Sequence, residues 1–180
     1  MLFTLIIILL LFMYIGSMYN KCVKLLNYVK ESFSTMDVYL KKRWDLIPNL
    51  VETVKGYVEH EKGTLEEITS LRNLHYSELS QDQKVDVNNK LAYGLPKLIA
   101  VAENYPDLKA SATFIQLQQD LTRLEEDIAN ARKYYNGCVR EYNTHIQLFP
   151  AVLVANAFNF KEQKMFEIDE VQRENVNVSF

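Results

Sequence analysis

The feature that most constrains this chain is its start. From Leu2 to Tyr19 there is no charged residue, and most positions are Leu, Ile, Phe or Met. At about 1.5 Å per helical residue, that run is just long enough to cross a hydrocarbon core of ~30 Å. A cleaved secretory signal would carry a basic segment first and a small-residue cleavage site afterwards. Here the apolar run begins directly after Met1, and Cys22 is preceded by Tyr19-Asn20-Lys21 rather than by small residues. The expectation is a retained anchor over residues 1–19. No Lys or Arg precedes the run, whereas Lys21, Lys24 and Lys30 follow it. The positive-inside bias therefore predicts a single-pass protein of the cell membrane, with its N-terminus outside and its body in the cytoplasm.

The anchor runs on into an amphipathic helix. Cys22, Leu25, Leu26, Val29, Phe33, Met36, Leu40 and Trp44 recur at steps of three and four, which is one helical face. With only 5 Gly and 4 Pro, the chain has few places to stop, so its elements are long helices. The prediction is an all-α fold: a transmembrane helix, then an antiparallel up-and-down four-helix bundle over residues 20–166, then a disordered tail over 167–180.

Pro48 poses the main question of chain path. A Pro disfavours helix at the residue before it and suits the first turn of a new one. That favours a turn at Asp45-Leu46-Ile47 and an antiparallel second helix from Pro48 to about Leu74, with Leu50, Val51, Val54, Tyr57, Val58, Leu65 and Ile68 inward. The apolar register nonetheless continues through Leu40, Trp44, Ile47, Val51, Val54 and Val58, as a single kinked helix would give. A polar loop over Asn73–Gln83 follows, with Ser80 placed to cap a third helix of about 81–104. That helix turns Leu91, Leu95, Leu98, Ile99 and Ala102 inward and is bent by Gly94 and Pro96. Tyr105-Pro106-Asp107 is a break. The fourth helix, about Leu108–Leu148, carries the stripe Phe114, Leu117, Leu121, Leu124, Ile128, Ala131, Tyr135, Cys138, Val139, Tyr142 and Ile146. Pro150 ends it, Ala151–Phe158 forms a short helix, and Phe160, Met165 and Phe166 tuck against the bundle.

The function classes narrow by exclusion. A net charge of −3 without a basic, aromatic-interleaved patch argues against nucleic acid as a partner. Lys41-Lys42-Arg43, the densest basic run, reads as a solvated or membrane-proximal face. His60-Glu61 begins a zinc-protease pattern that fails at Thr64, and His60, His75 and His145 lack ligand spacing. Neither a phosphate loop nor a nucleophile elbow is present. Cys22 and Cys138 fall in apolar register and read as reduced core residues; a disulfide between them would need an oxidising compartment. No cofactor, metal or catalytic residue is predicted, and the chain is expected not to be an enzyme.

Two polar sets stand out. Asp45, Asn49, Lys55, Glu59 and His60 cluster near one bundle end, as a partner surface or as braces of a helix junction. Glu61 projects to the side of Val54, Tyr57 and Val58, while Gln118, Glu125, Arg132, Asn136 and Asn143 line one edge of the fourth helix at steps of seven, seven, four and seven. A buried charge needs a partner, so Glu61 and Glu125 are expected to find Arg132 or the Asn amides. This seam is either a network that fixes helix register or a binding groove.

These residues resemble the LemA family of bacterial membrane-anchored helical proteins. The resemblance is carried by Arg43-x-Asp45-Leu46-Ile47-Pro48-Asn49-Leu50-Val51, Val54-Lys55-Gly56-Tyr57 and His60-Glu61. It resumes at Glu103-x-Tyr105-Pro106-Asp107-Leu108-Lys109-Ala110-Ser111 and Phe114, and continues with Leu117-Gln118, Glu125, Ile128-Ala129, Ala131-Arg132, Tyr135-Asn136, Tyr142-Asn143 and Phe149-Pro150. It implies an N-terminal anchor with a short outer end, a four-helix antiparallel bundle and no established enzymatic activity. It further implies an association with membrane zinc metallopeptidases and envelope stress. Trp44 departs from the family's usual small residue, and His75–Asn89 shows little of its pattern. The function expected is a non-enzymatic interaction or scaffold protein, able to self-associate into a homo-oligomer; the alternative is an accessory subunit or regulator of a membrane metallopeptidase.

Overall fold

The computed structural model describes residues 1–57, 70, 74–102 and 104–166. Among the described residues every regular element is helical and there is no strand. The helices are α1 (Leu2–Lys55), α2 (Gln81–Ala102), α3 (Pro106–Lys109), α4 (Ala112–Gln147) and α5 (Ala151–Ala157), with a 3₁₀ turn at Tyr76–Glu78. They build two compact units, one from residues 1–36 and 130–166, the other from residues 37–129. Helices α1 and α4 each lend residues to both.

The path at Pro48 corrects the favoured sequence reading. Helix α1 is continuous through Pro48, so there is no reversal at Asp45-Leu46-Ile47. The Pro removes one N–H from the helical ladder and costs about 3 kcal/mol. Against that stand Ile47, Leu50, Val51 and Val54, all buried in one core. Each such side chain contributes about 1.5–3 kcal/mol, and all of them would leave that face if the helix turned back. The rest of the second helix expected beyond Lys55, with Val58, Glu59, His60, Glu61, Leu65 and Ile68, lies outside the described residues. Tyr57 is exposed rather than inward.

The start of α2 follows the sequence reading closely. The Gln83 N–H donates to Ser80 Oγ, and the Ser80 N–H donates to Gln83 Oε1. This reciprocal capping box satisfies two donors the helix end leaves open. Leu91, Leu95, Leu98 and Ala102 are buried as expected, and Pro96 lies inside the helix. Ile99 is half-buried. The fourth predicted helix instead begins as two pieces. Tyr105 leads into α3 with Pro106 in its first turn, and α4 starts afresh at Ala112. Leu108 from α3 is fully buried, so the short helix serves to plug the core.

In the unit of residues 37–129 one core joins α1, α2, α3 and the N-terminal half of α4. Trp44 is half-buried against it, and its ring lies 5.5 Å from that of Tyr76. In the unit of residues 1–36 and 130–166, Cys22, Leu25, Val29, Phe33 and Met36 of α1 are buried with Ala131, Tyr135, Val139, Tyr142 and Ile146 of α4. The Phe33 and Tyr135 rings meet edge-on at 5.6 Å. Both cysteines are free; Cys22 is buried and Cys138 half-buried. The C-terminal tail expected from residue 167 lies outside the described residues.

Helix α1 is the described helix long and apolar enough to cross a membrane. Its apolar start is not used in any core: Leu2 to Ile15 are exposed throughout.

Continuity through Pro48 gives a measurable consequence. Pro48→Ala should stabilise the protein by about 1–3 kcal/mol, because it restores the missing N–H and a better helix former. Urea unfolding of the detergent-solubilised protein measures it; destabilisation would mean that Pro48 starts a helix rather than interrupts one.

Candidate functional site

Two polar constructions stand out, one in each unit. The first is built on Arg43. Its residue lies at the third position after Leu40 and the fourth before Ile47, so helical spacing carries it onto the buried face of α1. Only 2 % of Arg43 is exposed. Its Nη2 donates to the Asn88 carbonyl at 2.7 Å and to Asn88 Oδ1 at 2.8 Å, and Nε donates to the same Oδ1 at 3.3 Å. Nη1 donates to Glu125 Oε1 at 2.7 Å. Asn88 is itself buried, and its amide donates to the Lys84 carbonyl one turn earlier on α2.

The network continues outward. Lys84 Nζ reaches Asp37 Oδ2 at 2.6 Å, and the Tyr76 hydroxyl donates to Asp37 Oδ1 at 2.8 Å. Lys84 also lies over the Tyr76 ring, 5.0 Å from its centroid. Burial, and then the hydrogen bond to Asp37, push the Tyr76 phenol above its ordinary range. The expected solvated face at Lys41-Lys42-Arg43 is thus corrected for Arg43. Its two neighbours lie toward solvent, and Lys41 pairs with Asp45 one turn on.

A buried guanidinium is tolerated only with its donors matched and its charge countered. Asn88 matches the donors in a dry position. Glu125 counters the charge, but its side chain is 45 % exposed, so water screens that pair. The arrangement pins α1, α2 and α4 at one level. Among the described residues no group of three His, Cys, Asp or Glu side chains could hold a metal ion.

The second construction is a clasp. Residues 161–166 run as a strap alongside α4, without helix or strand. Asn143 Nδ2 donates to the Gln163 carbonyl at 2.8 Å, and the Gln163 N–H returns to Asn143 Oδ1 at 2.9 Å. Asn136 treats Phe166 identically, with 3.0 and 2.8 Å. Tyr142 and Tyr135 donate their hydroxyls to the carbonyls of Lys161 and Lys164. The geometry follows from two rises. Seven helical residues span about 10.5 Å, and three extended residues span about 10 Å. Asn side chains a heptad apart therefore meet backbone groups three residues apart. Phe166 is buried at the end of the strap, while Met165 is exposed and Phe160 half-buried.

The sequence-predicted residues divide accordingly. Glu125 belongs to the Arg43 network. Arg132 lies over the Phe166 ring at 5.7 Å. Asn136 and Asn143 hold the strap, and Gln118 is exposed rather than part of a buried seam. Asp45, Asn49 and Lys55 are exposed on α1; Glu59, His60 and Glu61 lie outside the described residues. Sequence reasoning missed Arg43 as a buried group and Asn88 altogether. The signal for Arg43 was its register; for Asn88 it was its position one turn before Leu91, in a stretch with little family pattern. His145 is half-buried, its Nε2 has no hydrogen-bond partner among the described residues, and burial, followed by the nearby Lys21 charge, lowers its pKa.

The family model for the LemA family matches residues 32–180, which take in the Arg43 network and the strap. The chain belongs to the LemA family. It is 25% identical over 169 residues to "Protein LemA" of Metamycoplasma hominis, covering 93% of this chain and 77% of that protein. A shorter similarity reaches magnetosome proteins. "Magnetosome protein MamQ 2" of Paramagnetospirillum magneticum is 32% identical over 73 residues, 41% of this chain and 27% of its own length. "Magnetosome protein MamQ" of Magnetospirillum gryphiswaldense is 29% identical over 72 residues, 40% of this chain and 26% of its own. This LemA-family chain thus spans about a quarter of those magnetosome proteins. Its similarity to "Protein LemA" runs nearly end to end.

Two outcomes follow from these contacts. Arg43→Ala should cost about 2–4 kcal/mol, since it leaves the buried Asn88 carbonyl and amide oxygens without donors, whereas Glu125→Gln should cost less than about 1 kcal/mol because its carboxylate is partly hydrated. Urea titration followed by far-ultraviolet circular dichroism compares them; equal costs would make the ion pair, not Asn88, the anchor of the guanidinium. Separately, the double change Asn136→Ala and Asn143→Ala should release the strap without melting the helices. Hydrogen exchange at Gln163 and Phe166 should accelerate at least tenfold, given about 1 kcal/mol or more for each lost amide pair; unchanged exchange would show that burial of Phe166 alone holds it.

Proposed function

We propose that this LemA-family chain is a single-pass, membrane-anchored interaction protein without enzymatic activity. In this reading residues 2–19 span the bilayer, the short N-terminus faces outward, and residues 20–166 form an antiparallel up-and-down four-helix bundle in the cytoplasm. The observation that carries it is the exposed apolar start of α1, which continues without a break into a helix whose next turns are core. An apolar helix left uncovered by the described residues calls for another apolar medium. Lys21, Lys24 and Lys30 supply the orientation.

The non-enzymatic part rests on the polar groups already accounted for. Among the described residues, buried Arg43 and Asn88 are engaged in holding helices, and Asn136 and Asn143 in holding the strap, as structural groups are. The exposed motif residues Asp45, Asn49 and Lys55 offer a surface on α1 for a partner or for another copy of the chain. Regulation of a membrane metallopeptidase remains the other reading drawn from the family resemblance.

The experiment fuses green fluorescent protein, and separately alkaline phosphatase, after Phe180 and follows carbonate extraction of the membranes. The expected result is a carbonate-resistant protein, fluorescent in the first fusion and inactive as a phosphatase in the second. Extraction into the soluble fraction would remove the anchor; phosphatase activity would reverse the orientation. Mild-detergent purification then separates the partner readings, a ladder of self-oligomers against a stoichiometric protease.

A further inference from the structure

The corner between α4 and α5 carries a feature that neither the bundle core nor the interaction surface explains. From Leu148 to Phe160 the sequence reads Leu-Phe-Pro-Ala-Val-Leu-Val-Ala-Asn-Ala-Phe-Asn-Phe, with no charged residue. Helix α5 buries one face through Ala151, Val154 and Ala155. Its other face and the flanking turns leave Leu148 58%, Phe149 80%, Leu153 61% and Phe158 55% exposed. Scattered exposed apolar residues are ordinary, but four bulky ones on one uncharged corner form a patch that calls for a cover.

The position of that corner identifies the cover. The Tyr19 ring, at the end of the uncharged run of α1, lies 4.8 Å from the Phe158 ring and 5.6 Å from the Phe160 ring. The Lys21 charge lies near His145 in the last turn of α4, three residues before Leu148. The corner therefore stands at the level where the apolar segment ends. All these residues belong to one compact unit. The exposed residues around them include the aromatic Tyr19 and Phe158 and the lysines Lys21, Lys24 and Lys161, beside the polar Asn156 and Asn159 and the acidic Glu162. Aromatic rings with flanking lysines are what the boundary between acyl chains and headgroups selects.

We propose that the α4–α5 corner, through Leu148, Phe149, Leu153 and Phe158, dips into the interfacial layer of the bilayer beside the exit of the α1 span, as a second membrane contact. The proposal rests on the reading of residues 2–19 as that span. A second copy of the chain is the less suitable cover. The four side chains expose on the order of 500 Å², short of the ~800 Å² per partner of a stable protein interface. The membrane needs no such minimum, because the span already holds the corner against it. A chain fixed at two points loses the freedom to swing about its anchor. The bundle is then presented in one orientation, with the strap following Phe160 starting at the membrane surface.

The test uses the full chain with Trp44→Phe, so that one introduced Trp reports. Three variants carry Ile8→Trp, Phe149→Trp or Tyr134→Trp and are reconstituted in phosphatidylcholine vesicles brominated either near the headgroup or near the chain end. Ile8→Trp reports the span and should be quenched most by the deep bromines. Phe149→Trp should lose comparable intensity to the shallow bromines, with a blue-shifted emission. Tyr134→Trp lies about 20 Å back along α4 and should lose almost none. Quenching at Ile8→Trp without quenching at Phe149→Trp overturns the second contact while the anchor stands. No quenching at Ile8→Trp overturns the anchor itself. Phe149→Cys that crosslinks efficiently between copies in the same vesicles also overturns the proposal, by making the cover a second chain.

Discussion

The helices of both units depend on the unbroken apolar face of α1. One helix supplies an exposed apolar start, one wall of the first unit and one wall of the second. Pro48 works against that continuity locally, at the cost of one ladder hydrogen bond. It is outweighed because Ile47, Leu50, Val51 and Val54 are buried on the face the helix would otherwise turn away. The helix that sequence rules would end at Pro48 thereby runs on to Lys55.

With α1 continuous, Arg43 has no route to water. The chain surrounds it with acceptors and counters its charge with one carboxylate. Asn88 offers both its carbonyl and its side-chain oxygen from within α2, and Glu125 approaches from the solvent side. Such groups specify which helices meet at which level more than they add stability, since a well-packed apolar substitute would serve stability as well. The neighbouring Asp37, Lys84 and Tyr76 extend the same logic to the connection before α2.

In the other unit the same helical period is put to a different use. Asn136 and Asn143 face a strap instead of another helix, and their amides read only backbone. The match between a heptad and three extended residues makes this possible. If the proposed second membrane contact holds, the strap starts at the membrane and is secured by α4 along its whole length.

Periodicity and punctuation alone determined much of this protein. The all-α class, the uncharged run at the start, the buried faces of α1, α2 and α4, the capping box at Ser80 and the helix end near Pro150 were legible because each is a local property of spacing or of one side chain. The family signature was legible for the same reason, as residues in order along the chain. The partners of the polar residues were not. Glu125 carries the same spacing signal whether it meets Arg132 on its own helix or Arg43 on another, and Asn143 reads alike as a core amide or a backbone clasp. Only the tertiary structure decided between them, because burial, which sets the cost of a charge or an open donor, depends on which distant segment arrives opposite. It likewise decided Pro48, where a local preference of about 3 kcal/mol met a packed face worth more.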